Sequence, residues 1–285
     1  GISVSGSIRN NNNNTSPLIY KKTLTPHTKW LDCLIDVDVV IHTAATAHEK
    51  NDNSDTFFKK CFDTNKHATI NLADQCEKAG VKKLIFLSST GVNGPQKTTV
   101  SPYKIDDDPN PHDIYTKSKY EAEIELLKLD SIYDLDIIIL RAPVVYGLGA
   151  KGSFGSILNA IENKIPLPFK SLKNKRDFLH IDNLISLVKV ILFKEINIKN
   201  KIFFVSDCSP LTLEELCVIA GKIIKVKPWI VYFPISNFIF YYFFKILRLA
   251  KEYETLTSDF RIETLETQKI LEWSPVYNPI DELAK

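Results

Sequence analysis

The sequence predicts an α/β protein built on a doubly wound parallel sheet, with a smaller second lobe toward the C-terminus. Two observations predict it. Strand-like and helix-like patterns alternate through the first half of the chain. The strand-like runs are apolar at successive residues rather than alternate ones, as in Leu84-Ile85-Phe86-Leu87 and Ile137-Ile138-Ile139-Leu140. Such runs fit strands covered by helices on both faces. Right-handed crossovers then place those helices on the two sides of one sheet.

The elements follow in order. Ile2-Ser3-Val4 reads as a strand, followed by the low-complexity tract Asn10 to Asn14, a solvated loop by composition. Leu18-Ile19-Tyr20 reads as a short strand. Val37 to His42 is a β-branched strand closed by the small-residue turn Thr43-Ala44-Ala45-Thr46-Ala47. Phe57 to Ala79 has helical periodicity and stops at Gly80, a C-cap residue. A strand at Leu84–Leu87, a helix at Tyr115–Leu129 and a strand at Leu135–Leu140 complete the regular part. Beyond it the pattern loosens. Pro143 to Pro168 reads as loop plus a helix near Phe154–Glu162. Asp182 is placed to cap a helix running to about Phe193, and Thr212 to cap one over Leu213–Ile224.

Composition narrows the class. The chain has 285 residues, enough for one large domain or two lobes, and its 44% apolar and 25% charged content is ordinary for a globular protein. A net charge of +2 gives no reason to propose a nucleic-acid partner. The 5 cysteines are odd in number and lack CxxC spacing, which fits reduced thiols in a cytoplasmic protein and no metal site. Trp229 to Phe244 is uncharged and rich in Phe, Tyr and Ile, with Pro234, Ser236 and Asn237 interrupting it. It is shorter than the roughly 20 residues a membrane span needs. A packed helix is the first reading and an in-plane membrane contact through 229–250 the second.

The most informative run is Asp113-Ile114-Tyr115-Thr116-Lys117-Ser118-Lys119. A Tyr and a Lys four apart on a helix share a face, roughly 5–6 Å apart at Cβ. A free phenol titrates near 10 and is a poor base at neutral pH, and a nearby ammonium favours its phenolate. Upstream, the strand ending Ser88-Ser89-Thr90 offers a hydroxyl to hold the oxygen whose proton the Tyr takes. Ser89, Tyr115 and Lys119 together therefore suit redox chemistry at an alcohol carbon.

Collinear segments carry a resemblance. They are Asp38-Val39-Val40-Ile41-His42-Thr43-Ala44-Ala45, Asn65, and Phe86 through Gly94. Tyr115-Thr116-Lys117-Ser118-Lys119, Leu140-Arg141-Ala142-Pro143-Val144-Val145-Tyr146-Gly147, Arg176 through Leu184, and Leu271-Glu272-Trp273-Ser274-Pro275 follow. Together they resemble the extended short-chain dehydrogenase/reductases of the nucleotide-sugar epimerase/dehydratase family, which have a Rossmann-like fold. The segments Ser88-Ser89-Thr90-Gly91-Val92-Asn93-Gly94 and Gly149-Ala150-Lys151-Gly152-Ser153-Phe154 resemble the branch acting on UDP-N-acetylhexosamines in surface-polysaccharide synthesis.

The resemblance implies an NAD(P)-binding domain over 1–148 and a substrate-binding lobe over 149–285, with about 177–205 packing back on the first sheet. It implies Ser89, Tyr115 and Lys119 as the catalytic group. Tyr115 takes the proton from the sugar O4 while the C4 hydride passes to nicotinamide, and Lys119 holds the nicotinamide ribose. Arg9, Ala44, Ala45, Asn65, Ser88, Pro143 and Val144 join Tyr115 and Lys119 around NAD. Ser89, Thr90, Asn93, Lys151, Ser153 and Arg176 meet the UDP-sugar, Arg176 through the diphosphate. His180 reads as a core histidine. A homodimer through the long helices, about Phe57–Ala79 and Tyr115–Leu129, is implied by analogy.

The sequence also departs from the family. The GxxGxxG turn that presents backbone N–H groups to a pyrophosphate does not occur in it. Gly1 through Arg9 matches the family's second strand, which implies that about 20–30 preceding residues lie outside this sequence. A chain without that turn is expected to hold a dinucleotide weakly. An acidic residue usually reads the adenine ribose; Arg9 stands near that place, which leaves NADP open beside NAD. Gly91 and Val92 stand where 4,6-dehydratases carry an Asp-Glu pair, so elimination has no positioned acid and base. A nucleotide-sugar 4-epimerase is the first expectation. A 4-keto nucleotide-sugar reductase is the second, and an inactive Rossmann-like binding protein the third.

Overall fold

The computed structural model describes residues 3–8, 19–47, 55–95, 101–195, 202–232 and 257–284. The chain divides into two compact units that interleave in sequence. The first comprises Gly1–Val92, Pro111–Leu140 and Lys199–Ile202; the second comprises Asn93–Asn110, Arg141–Ile198 and Phe203–Lys285.

The strands are β1 (Gly6–Ile8), β2 (Ile19–Lys21), β3 (Val39–His42), β4 (Lys83–Ser89), β5 (Asp136–Ala142), β6 (Val145–Tyr146), β7 (Leu179–His180) and β8 (Ile202–Phe204). The helices are α1 (Asp55–Phe62), α2 (Ala68–Ala79), α3 (Ile114–Asp130), α4 (Gly152–Glu162), α5 (Ile181–Phe193), α6 (Leu213–Ile224), α7 (Leu265–Leu271) and α8 (Pro279–Ala284). One π turn, Asp63–His67, joins α1 to α2.

In the first unit, β3 and β4 pair in parallel, with Ile41 opposite Ile85 and His42 opposite Phe86. They belong to a four-stranded sheet of order β3-β4-β5-β8, and the division between the units falls inside β5 and β8. The parallel pair β1–β2 forms a separate sheet. Among the described residues, β1 and β3 are therefore each paired on one side only. A cavity of about 290 Å³ is lined from both sheets, by Ser5, Gly6 and Ser7 on one and Val39 to His42 on the other.

The continuous apolar strands are buried on both faces, as their composition predicts. Leu84 and Phe86 of β4, with Ile137 and Ile139 of β5, point into one cluster with Leu72, Ala73 and Cys76 of α2 and Ala122 and Leu126 of α3. Ile85 and Ile138 are equally buried, so period two gives each face its own apolar set. The second unit has its own core, in which Tyr146, Phe154 and Phe178 meet Leu216, Ile219 and Ala220 of α6.

The helix ends follow capping rules. Gly80 closes α2 in the left-handed region at φ 73°. Thr212 and Glu215 form a reciprocal capping box on α6. At α5 the expected cap shifts by two residues: His180 is the N-cap, its Nδ1 accepting from the Asp182 N–H. The first strand is displaced as well, to Gly6–Ile8 rather than Ile2–Val4. Pairing decides this, because Gly6, Ser7 and Ile8 face Ile19, Tyr20 and Lys21, while Val4 is 72% exposed. Arg9, the Asn10–Asn14 tract and residues 233–256 lie outside the described residues. Among the described residues no helix is long and apolar enough to cross a membrane.

α3 starts where Asp113 accepts from the Thr116 N–H at 2.7 Å and the Thr116 hydroxyl accepts from the Asp113 N–H at 3.2 Å. Replacing Asp113 by Ala removes both the cap and the carboxylate at the positive end of the helix. A loss of about 1 kcal/mol is expected, read as a lower urea midpoint with an unchanged denaturant slope. An unchanged midpoint would show that the cap does not hold this helix.

Candidate active site

The first unit brings Ser89, Tyr115 and Lys119 onto neighbouring elements. Ser89 ends β4, and the chain turns at once into a 3₁₀ segment, Thr90–Asn93. That turn lies against the first turn of α3. A Cβ added at Gly91 would stand 2.7 Å from Thr116 Cγ2, so glycine is what lets the Ser89 turn approach the helix that carries Tyr115. The Ser89 hydroxyl accepts from the Gly91 N–H at 3.1 Å. That bond uses the hydroxyl as an acceptor and leaves its O–H a donor to spare.

Asn65 fixes the start of the same helix from the other side. It sits fully buried in the π turn between α1 and α2. Such a turn inserts one residue and often marks a functional position. The Asn65 carbonyl accepts from the Thr46 N–H at 2.7 Å, and its amide donates to the Thr46 carbonyl at 2.9 Å. The same amide donates to Ser118 Oγ at 2.9 Å, and Ser118 donates to the Tyr115 carbonyl at 2.7 Å. One side chain therefore ties the loop after β3 to the backbone of Tyr115. Ser118 and Thr46 were not expected at the site from sequence. A serine one residue before Lys119, facing inward on α3, was the available signal.

Burial governs the electrostatics. Tyr115 is pushed up to about 12, first by burial, then by the Asp113 carboxylate and the Cys61 thiol. The expected acidifying effect of Lys119 on this phenol is therefore not the dominant one here. Lys119 is itself only 1% exposed. Burial pulls its ammonium down to about 7, against the opposing effect of Glu123. Its Nζ lies 3.8 Å from the centre of the Phe86 ring, a cation–π contact that replaces part of the lost hydration. His42 is buried beside it and bonds Thr69 Oγ1 at 2.9 Å. Burial, then the Lys119 charge, drives its imidazole down to about 3.

The other expected residues divide. Ala44 and Ala45 are exposed at the carboxyl end of β3, where with Thr43 and Thr64 they line the cavity between the sheets. Small side chains at that end of a strand leave room for a ligand backbone. Ser88 is buried and its hydroxyl donates to Glu123, so it faces the protein interior rather than an open cofactor crevice. Thr90 is 3% exposed. Arg9 lies outside the described residues.

Asn93, Pro143, Val144, Lys151, Ser153 and Arg176 belong to the second unit. Asn93 is buried and accepts from Arg141 at 3.0 Å. Val144 is 38% exposed beside Pro143. Lys151 and Ser153 are exposed at the start of α4. The Arg176 guanidinium donates to the Ser258 carbonyl at 3.2 Å and lies 5.7 Å from the Phe260 ring centre. Burial lowers it to about 10, with Asp259 opposing. His180 is the buried core histidine the sequence suggested, stacked 3.8 Å from Tyr277.

A strand-bound serine, a helix-borne Tyr and Lys, and a parallel sheet opening on small residues define a class of alcohol-oxidising α/β proteins. The comparisons with known proteins are more specific. Residues 3–205 match the NAD dependent epimerase/dehydratase family, and the chain belongs to that family. It is 32% identical over 243 residues to a UDP-glucose 4-epimerase of Vibrio cholerae, covering 85% of this chain and 73% of that protein. It is 28% identical over 133 residues to the N-acetyl-alpha-D-glucosaminyl-diphospho-ditrans,octacis-undecaprenol 4-epimerase of Escherichia coli O157:H7, covering 45% of this chain and 38% of that protein. Its fold is similar to the crystal structure of UDP-glucuronic acid 4-epimerase from Bacillus cereus in complex with NAD. The TM-score is 0.72 at 19% identity, over 95% of this chain and 79% of the other.

Asn65→Ala removes three buried hydrogen bonds, strands the Thr46 N–H and leaves the Thr46 carbonyl only the weak Cys61 thiol donor. The expected cost is about 2–4 kcal/mol, measured by chemical denaturation. A loss below about 0.5 kcal/mol, within the range of an ordinary surface change, would show that the bridge contributes little.

Proposed function

We propose that this protein is an NAD-dependent nucleotide-sugar 4-epimerase acting on a UDP-sugar by transient oxidation at C4. A UDP-N-acetylhexosamine-like substrate, in the synthesis of a surface polysaccharide, is the specific reading. One observation carries the proposal: within the family fold, the Ser89 turn packs against the helix that presents Tyr115 and Lys119. The epimerases among its relatives support it, and the N-acetylhexosamine reading rests on the motifs around Asn93 and Lys151.

The exposed Thr43-Ala44-Ala45 turn beside the cavity fits a dinucleotide, because its small side chains leave that approach open. Bound NAD supplies hydride acceptance and return. The chain's residues do the rest. Ser89 donates a hydrogen bond to the sugar O4, and Tyr115 accepts the O4 proton as the C4–H bond breaks. Ser89 and Tyr115 then hold the resulting C4 carbonyl oxygen. After the sugar turns over, Tyr115 returns the proton to O4 on the opposite face, so protons and electrons balance over the cycle. Lys119 binds the nicotinamide ribose and stabilises the Tyr115 anion. Pro143 and Val144 border the nicotinamide, and Arg176 and Lys151 of the substrate-binding lobe meet the diphosphate. A homodimer through α1–α2 and α3 completes the reading.

The test is an assay of UDP-sugar C4 epimers with NAD present, separated chromatographically. Tyr115→Phe is expected to lower the rate by about 10³-fold and Ser89→Ala by about 10²-fold, the range for a positioned proton-transfer group. Stoichiometric consumption of reduced cofactor by a 4-keto sugar would instead assign a reductase. Full activity in Tyr115→Phe would refute both.

A further inference from the structure

Glu123 is a second buried charge on α3, one turn beyond Lys119. It is 1% exposed, as Lys119 is, and residues at i and i+4 share a helix face. A buried carboxylate is costly unless it is paired and hydrogen-bonded. Ser88 at the end of β4 donates its hydroxyl to Glu123 Oε1, and Lys119 stands one turn away on the same helix face, where the Glu123 charge favours its ammonium. Among the described residues, the groups that face Lys119 come from β3, β4 and α3. β4 presents the Phe86 ring, and β3 presents His42, a neutral imidazole that the lysine charge helps to keep neutral. On α3 itself stand Tyr115 and Glu123, and beyond Tyr115 lie Asp113 and, on α1, Cys61. Glu121 pairs with Lys66 of the π turn. It stands two residues from Lys119, hence on another face of the helix.

We propose that Glu123, held by Ser88, is a positioning residue that keeps the buried Lys119 in its ammonium form for the Tyr115 site. No role in sugar recognition is needed for it. Lys119 loses hydration without a surface partner, and Phe86 and His42 bring no negative charge. Glu123 is the carboxylate the packing delivers to it, and Ser88 fixes where that carboxylate points. The inference gives the Tyr115–Lys119 reading its charge balance and rests on that reading for its catalytic consequence only.

The sign is definite. Burial lowers the affinity of Lys119 for its proton and Glu123 raises it. Removing the carboxylate therefore moves the loss of the ammonium to lower pH, and the alkaline limb of any rate profile moves with it. The experiment is an NMR titration of ¹³Cε-labelled lysine in the full chain without substrate, with Lys119→Met assigning the resonance. Glu123→Gln should lower the apparent pKa of Lys119 by at least about one unit, a tenfold loss of proton affinity. Ser88→Ala should lower it by a smaller amount, and Glu123→Asp should stay nearer the parent value than Glu123→Gln. An unchanged Lys119 titration in folded Glu123→Gln overturns the proposal. If that variant fails to fold by circular dichroism, an unchanged titration in Ser88→Ala overturns it. The titration needs no turnover. A parent chain that does not epimerise sinks the functional reading alone, and an active parent with an unmoved Lys119 sinks this proposal alone.

Discussion

The buried Asn65 side chain is the constraint on which the site depends. Its amide closes a two-way bond with the Thr46 backbone and reaches on to Ser118, which holds the Tyr115 carbonyl. A loop and a helix start that share no sheet hydrogen bonds are thereby locked into one register. The π turn is the backbone's concession to this. An unbroken α-helix through Asp63–His67 has a different phase, and one extra residue turns Asn65 inward. Asp113 and Thr116 define the first turn of α3, and Gly91 admits the Ser89 turn against it. Ser89, Tyr115 and Lys119 are thus placed by contacts on three sides.

A dry site makes charge the scarce quantity. Burial alone moves Tyr115 away from the phenolate and Lys119 away from the ammonium, the reverse of what proton abstraction requires. Such a site depends on whatever opposes burial. Within the protein, the Phe86 ring and the Glu123 carboxylate do so for Lys119, and His42 adds no competing positive charge because it stays neutral.

Much of this was legible in the sequence for physical reasons. β4 and β5 declared themselves by unbroken apolar runs, because each packs helices on both faces. Gly80 and Thr212 marked helix ends by their backbone and side-chain chemistry. The Tyr115–Lys119 spacing and the hydroxyls after Leu87 marked the candidate site. Of the short elements, β2 was legible, but β6, β7 and β8 were not. β6, β7 and β8 have two or three residues each, too few for any periodicity, and tertiary pairing alone makes them strands. The resemblance implied Ser88 among the residues around NAD. Alternation along β4 turns the two hydroxyls to opposite sides, and Ser88 donates to Glu123. Glu123 itself was hidden because a charged residue on a helix usually faces water. Only packing distinguishes it from exposed Lys128 on the same helix.

The most direct test of the Asn65 constraint is backbone amide hydrogen exchange at Thr46. Thr46 lies in a loop, and a loop amide ordinarily exchanges through local opening at little cost. Here its N–H is buried against a side chain that also holds α3. Protection comparable to the central amides of β4, lost together with that of the first turn of α3, is the predicted result. Rapid exchange at Thr46 while β4 and α3 remain protected would contradict it.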